Sequence, residues 1–169
     1  VAFPSDHPFF SYDDWFIGKT PCNKGVPEEF SQFSLTFKSC DIDSLEKLFE
    51  AYPNQIAGVI MEPERVTCSN CLCDFSVENY LKKAIKLTKS KGAVFILDEM
   101  VTGFKIDLPG AISKYNLDPD IANWGKGIEN GFSFCALTGK KEIMKLGGIK
   151  NDGEEKVFLT STTHGLSLI

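Results

Sequence analysis

Apolar residues fall along this chain in short unbroken runs separated by longer amphipathic stretches. Ile56 to Met61 (IAGVIM) and Ala93 to Leu97 (AVFIL) are the clearest runs, with a shorter one at Ile121 to Trp124. Continuous apolar runs of this length predict strands buried on both faces, as in parallel α/β sheets. Further short strands are predicted from Phe33 to Phe37, Phe134 to Leu137 and Val157 to Thr160. Between them the period changes to that of a helix. Leu45, Leu48 and Phe49 share a face behind a cap at Asp41 or Asp43, and Val77, Leu81, Ile85 and Leu87 share one behind Ser76, ending at Gly92. A short helix opens at Lys140 or Lys141 and runs through Ile143 and Met144. Val1 to Gly18, crowded with aromatics, reads as a core-facing loop. The strand–helix–strand unit from Ile56 to Leu97 is of the right-handed parallel type, which sets Glu62 and Asp98 at the same sheet edge. In open α/β sheets the carboxyl ends of strands are where ligands sit.

Composition narrows the classes without choosing among them. With 169 residues, 43% hydrophobic and 24% charged, the chain has the make-up of one globular domain. A net charge of -5 disfavours a nucleic-acid partner, which wants a basic face. No run of about 18 apolar residues predicts a membrane span. The start, VAFPSDHPFF, lacks the basic and apolar regions of a signal peptide, and it opens on Val1, as expected of a chain whose beginning is missing. The expectation is a cytoplasmic protein whose six cysteines are free thiols.

Three stretches carry candidate chemistry. Gly18-Lys19-Thr20 imitates a phosphate loop, but that motif needs a glycine where Asp13 stands, and a carboxylate there repels phosphate. Cys68, Cys71 and Cys73 (CSNCLC) have a metal-like density, yet a closed zinc site needs four ligands, and the expectation is no metal. The third is a pair. Asp98 ends a buried strand, and Lys126 stands between Gly125 and Gly127. An acid that holds a ring nitrogen protonated and an amine that forms a Schiff base with an aldehyde are the two requirements of a pyridoxal phosphate site. A lysine at its ordinary pKa of about 10.4 is a poor nucleophile, so burial or nearby positive charge is expected around Lys126.

The order DE-x-x-TGF at Asp98 to Phe104, Pro119-Asp120, GK-x-I-x-NG from Gly125, then GKKEIM at Gly139 to Met144, resembles the class III aminotransferases, and within them the glutamate-1-semialdehyde aminomutase branch. The similarity extends through DWFIGKTPCNKGVPE, VIMEP and STTHG, nearly the whole chain. It implies a three-layer α/β sandwich with a mostly parallel sheet, the fold type I large domain. Residues 1–169 would be its central part, without the N-terminal segment or the C-terminal small domain. It implies a pyridoxal-phosphate enzyme that moves an amino group to or within an aldehyde or keto substrate, as a homodimer. Lys126 would carry the cofactor and Asp98 would face its ring nitrogen. Phe9 would stack on the ring and Met100 would lie against the opposite face. Glu62 would stand near the reactive side, and Thr162 would bind phosphate in the other subunit's site. The chain departs from the family pattern at Phe10, Ser11 and Lys105, where His, Gly and Arg are usual. The competing class is a non-catalytic α/β module that binds a partner or a metal through Cys68, Cys71 and Cys73.

Overall fold

The computed structural model describes residues 1–5, 23–63, 76–128, 131, 134–147 and 153. Its elements in chain order are β1 (Ala2–Pro4), α1 (Glu28–Ser31), β2 (Leu35–Phe37), α2 (Ile42–Ala51), β3 (Gly58–Met61), α3 (Val77–Ser90), β4 (Val94–Asp98), α4 (Ala111–Lys114), β5 (Ile121–Trp124), β6 (Ala136–Gly139) and α5 (Lys141–Met144). The strands form one sheet of 6 in the order β2-β1-β3-β4-β5-β6. All neighbours are parallel except β5 and β6. The two long helices behave as their patterns predict. Asp41, rather than Asp43, caps α2 by accepting from Ser44 N at 3.1 Å, and Ser76 caps α3 by accepting from Asn79 N at 3.2 Å. Each such cap stabilises its helix by about 1 kcal/mol.

Both helices pack on one side of the sheet. Leu45 and Phe49 of α2 and Leu81, Ala84 and Ile85 of α3 join Val59, Phe95, Leu97 and Ala122 in a single apolar cluster. Val77 and Leu87, expected on the buried face of α3, are only partly buried against it, while Ala84 and Thr88 are buried. Phe95 and Leu97 are wholly inaccessible, and burying such a side chain contributes about 1.5–3 kcal/mol.

Three expectations need correction. The N-terminal stretch begins as strand rather than loop: Ala2 to Pro4 is buried and pairs in parallel with Leu35 to Phe37. Three residues between two strands carry no alternation to read, so the pattern missed them. Phe33 lies outside β2 and is 57% exposed. The strand expected at Phe134 to Leu137 is displaced to Ala136–Gly139 and runs antiparallel as an edge strand with Leu137 exposed, which is why its apolar run ends early. The expected strand at Val157 to Thr160 lies outside the described residues. No helix among the described residues is long and apolar enough to cross a membrane.

Candidate active site at the ends of β4 and β5

Parallel register brings the candidate residues to one edge. Met61 is level with Leu97, so Glu62, half-buried just past β3, stands beside Asp98. On the other side Asp98 is level with Asn123 of β5. Asp98 is 5% exposed, and both donors that reach it bond the same oxygen: Met100 N and Asn123 Nδ2, each 3.0 Å from Oδ1. Among the described residues no hydrogen bond is made to Oδ2. Burial pushes the Asp98 carboxyl above the usual carboxylate range. The bonds from Met100 and Asn123 and the charge of Lys126 oppose that rise, and neighbouring Glu99 adds slightly to it.

Lys126 follows β5 by two residues and opens a 3₁₀ turn, Lys126–Ile128. Its φ is 48°, the left-handed region that a side chain with a Cβ rarely adopts. Strain of this kind persists where surrounding structure imposes it, and it concentrates at functional sites. The turn is held from both sides. Trp124 is 6% exposed and donates from Nε1 to Thr138 Oγ1 on β6 at 2.8 Å. Gly103 lies so close to Trp124 that a Cβ there would stand 2.7 Å from its ring, and a Cβ on Gly127 would stand 3.2 Å from the Gly103 carbonyl oxygen. Both glycines are there because two turns are in contact. Of the burial or nearby positive charge expected around Lys126, burial is not seen among the described residues: the residue is exposed at the mouth of the turn.

The second carboxylate of the Asp98-Glu99 pair has a different place. Glu99 is fully buried and accepts from Ile112 N at 2.9 Å and from the Thr102 hydroxyl. A Cβ on Gly110 would fall 2.7 Å from its Oε2, so that loop closes over the carboxylate. Glu99 thereby ties the turn after β4 to the loop before α4. Met100, half-buried in that turn, reaches Asp98 through its backbone N–H. Phe9, Thr162 and the cysteines 68, 71 and 73 lie outside the described residues. Among the described residues no cluster of His, Cys, Asp or Glu is set to hold a metal.

Sequence reasoning missed Asn123. Its signal was present: it is the one hydrogen-bonding side chain in the IANW strand apart from the terminal tryptophan, and it sits level with Asp98. It also missed the organising role of Glu99, because a carboxylate beside a candidate acid reads as part of the same solvated tip.

Aminotransferase class-III is the family whose model matches this chain, over residues 18–159. A curated relative, the glutamate-1-semialdehyde 2,1-aminomutase of Wigglesworthia glossinidia brevipalpis, is 40% identical over 128 residues, 76% of this chain and 29% of that protein. Among solved structures, an omega-transaminase from Sphaerobacter thermophilus is similar with a TM-score of 0.77 at 22% identity, covering 94% of this chain and 38% of that one. A transaminase with PLP bound is similar at a TM-score of 0.76 and 19% identity, covering 96% of this chain and 39% of that one. The chain thus spans under two thirds of the length of each of these proteins, and it shares their mostly parallel, helix-covered sheet. The chain belongs to the class-III aminotransferase family.

Proposed function

We propose that the full-length protein is a pyridoxal-phosphate-dependent aminotransferase or aminomutase whose cofactor is held by Lys126 and Asp98. The observation that carries this reading is the Asp98 carboxylate, buried at a strand end with two neutral donors on Oδ1 and, among the described residues, none on Oδ2, and within the electrostatic reach of a lysine in a left-handed turn. A carboxylate so arranged suits a planar cation that presents one N–H, and the residues present therefore fit the cofactor. Pyridoxal phosphate, when bound, supplies an aldehyde that takes up amines and a protonated ring that draws electrons from the reacting carbon. Asp98 would hold the ring nitrogen and keep its proton in place through the oxygen that Met100 and Asn123 leave open. Lys126 would supply the amine that holds the cofactor and the base that moves a proton at the substrate carbon. Exposure at the mouth of its turn leaves the Lys126 side chain room for both positions. Glu62, one residue past β3, borders the same edge, and Met100 stands in the turn beside the carboxylate.

Phe9 as the stacking aromatic and Thr162 as a phosphate ligand in the partner's site belong to the same reading. So does a cytoplasmic homodimer that takes a small amino donor and an aldehyde or keto acceptor. The 40% relative supports the branch in which an amino group is moved within one aldehyde substrate. Borohydride reduction of the full-length protein followed by peptide mapping tests the assignment. The expected adduct is on Lys126, and an adduct on another lysine overturns it. Sedimentation and cell fractionation test the assembly and the location.

A further inference from the structure

The donors to Asp98 include one that the family resemblance did not point to. Asn123 gives Nδ2 to Asp98 Oδ1 at 3.0 Å, while its own Oδ1 is buried without a hydrogen-bond partner. An amide in this position has only one useful orientation, because the flipped form would set its oxygen against the carboxylate. The fold therefore tolerates an orphaned acceptor, a cost with no structural return in β5, in order to keep the donor end on Asp98. The backbone closes the same contact: Glu99 N donates to Asn123 O at 3.0 Å, so β4 and β5 cannot slide and part the two side chains. A neutral donor also differs from a cation here. It orients the carboxylate without offsetting its charge, which stays available on the other oxygen.

We propose that Asn123 is a positioning residue that locks Asp98 through Oδ1 so that Oδ2 is presented, still charged, to the nitrogen of a bound heteroaromatic ring. The inference rests on the pyridoxal phosphate reading, yet it concerns two side chains of this protein and is testable without the cofactor. Among the described residues, the charged groups that act on the Asp98 carboxyl are Lys126 and Glu99, and Glu62 stands just past the neighbouring strand.

The experiment follows the Asp98 carboxyl carbon by NMR through a pH titration of the full-length protein, labelled at aspartate and stripped of cofactor, with Asp98→Asn giving the assignment. Asn123→Ala removes one hydrogen bond to the ionised form and is expected to lower the proton-dissociation constant of Asp98 about tenfold. Asn123→Asp, of the same shape, replaces the donor with an acid and is expected to lower it further. A purely structural role for Asn123 would reduce the melting temperature of both variants and leave the titration where it was. An unchanged midpoint in both variants overturns the proposal. Loading with pyridoxal phosphate labelled at the ring nitrogen separates the two levels of argument. A protonated ring nitrogen in the unmodified protein that loses its proton in Asn123→Asp supports the proposal. A neutral ring nitrogen in the unmodified protein overturns the reading of Asp98 as its partner, and the cofactor-free titration still decides whether Asn123 governs that carboxylate.

Discussion

Two aspartates, Asp98 at the end of β4 and Asp120 just before β5, are almost equally buried, at 5% and 7% exposed, and they are held in opposite ways. Asp120, just before β5, accepts from Phe95 N at 2.9 Å through Oδ2 and meets Lys140 at 3.1 Å and Lys89 at 3.7 Å through Oδ1. Both of its oxygens are occupied and its charge is answered by two cations. Asp98, three residues beyond Phe95 and so about 10 Å further along the sheet, has neutral donors on one oxygen and nothing on the other among the described residues. The first arrangement is complete as it stands and joins β4, β5, α3 and the start of α5. The second leaves one oxygen open to a further donor. Burial is almost the same in both, so what separates the structural carboxylate from the one proposed to be functional is the number of oxygens left unanswered.

Asp98→Asn should break the comparison most severely. The substitution keeps an acceptor for Met100 N and Asn123 and removes the charge, so turnover of the full-length protein should fall on the order of 10²- to 10⁴-fold with the cofactor still bound. Stability should move the other way. The Asp98 carboxyl is raised in the folded protein above its unfolded value of about 3.9, so its contribution is most favourable below that pH and declines as pH rises through the folded value. The asparagine variant lacks that decline, and cofactor-free protein carrying it should melt higher than the parent at neutral pH. Steady-state kinetics and paired melting curves at pH 4 and 7 check both halves. Near-parental turnover would refute the role given to Asp98.

Gly103→Ala tests geometry in place of charge. Its Cβ would stand 2.7 Å from both the Trp124 ring and the Glu99 carbonyl oxygen, and neither can yield without moving the Lys126 turn. A displacement near 1 Å at a reacting group costs about 10²-fold in rate. Turnover should fall by roughly that factor, while Asp98 keeps its titration. Asp120→Ala should give the reverse pattern. It orphans the Phe95 N–H in the core, a loss of about 1–3 kcal/mol seen in urea unfolding, and it should leave the rate constants of the folded enzyme within about twofold.

What was legible in the sequence follows from length of pattern. The strand Ile121–Trp124, the helix from Ser76 to Gly92 and the Asp98 and Lys126 pair all sit in runs long enough, or between glycines distinct enough, to be read directly. β1 was not, because three residues hold no period. Lys89 reaches Asp118 and Asp120 from the last turn of α3, and a pairing such as Lys89 with Asp118, across 29 residues, leaves no local trace in the sequence. Asn123 and Asp98 are 25 residues apart, and only the register of two parallel strands joins them. The left-handed backbone at Lys126 was likewise invisible, since the sequence there puts a glycine on either side of the residue that takes the glycine-like angle.

The smallest effect sharpens the comparison from inside the ionic cluster. Asp118 contacts the same two lysines as Asp120, at 2.7 Å from Lys89 and 3.5 Å from Lys140, but its side chain is 79% exposed. If charge pairing were what made Asp120 structural, Asp118→Asn should destabilise comparably. If burial of an otherwise unanswered N–H is the reason, it should not, because water replaces the lost partner and counter-ions screen what remains. The expected loss for Asp118→Asn is about 0.2–1 kcal/mol at low salt, fading towards zero at 1 M salt, against a salt-insensitive loss for Asp120→Ala. Urea unfolding of the two variants at both ionic strengths distinguishes these cases. Equal losses, or a loss at Asp118 that persists in high salt, would mean that the cations and not the buried amide decide which aspartate is fully answered.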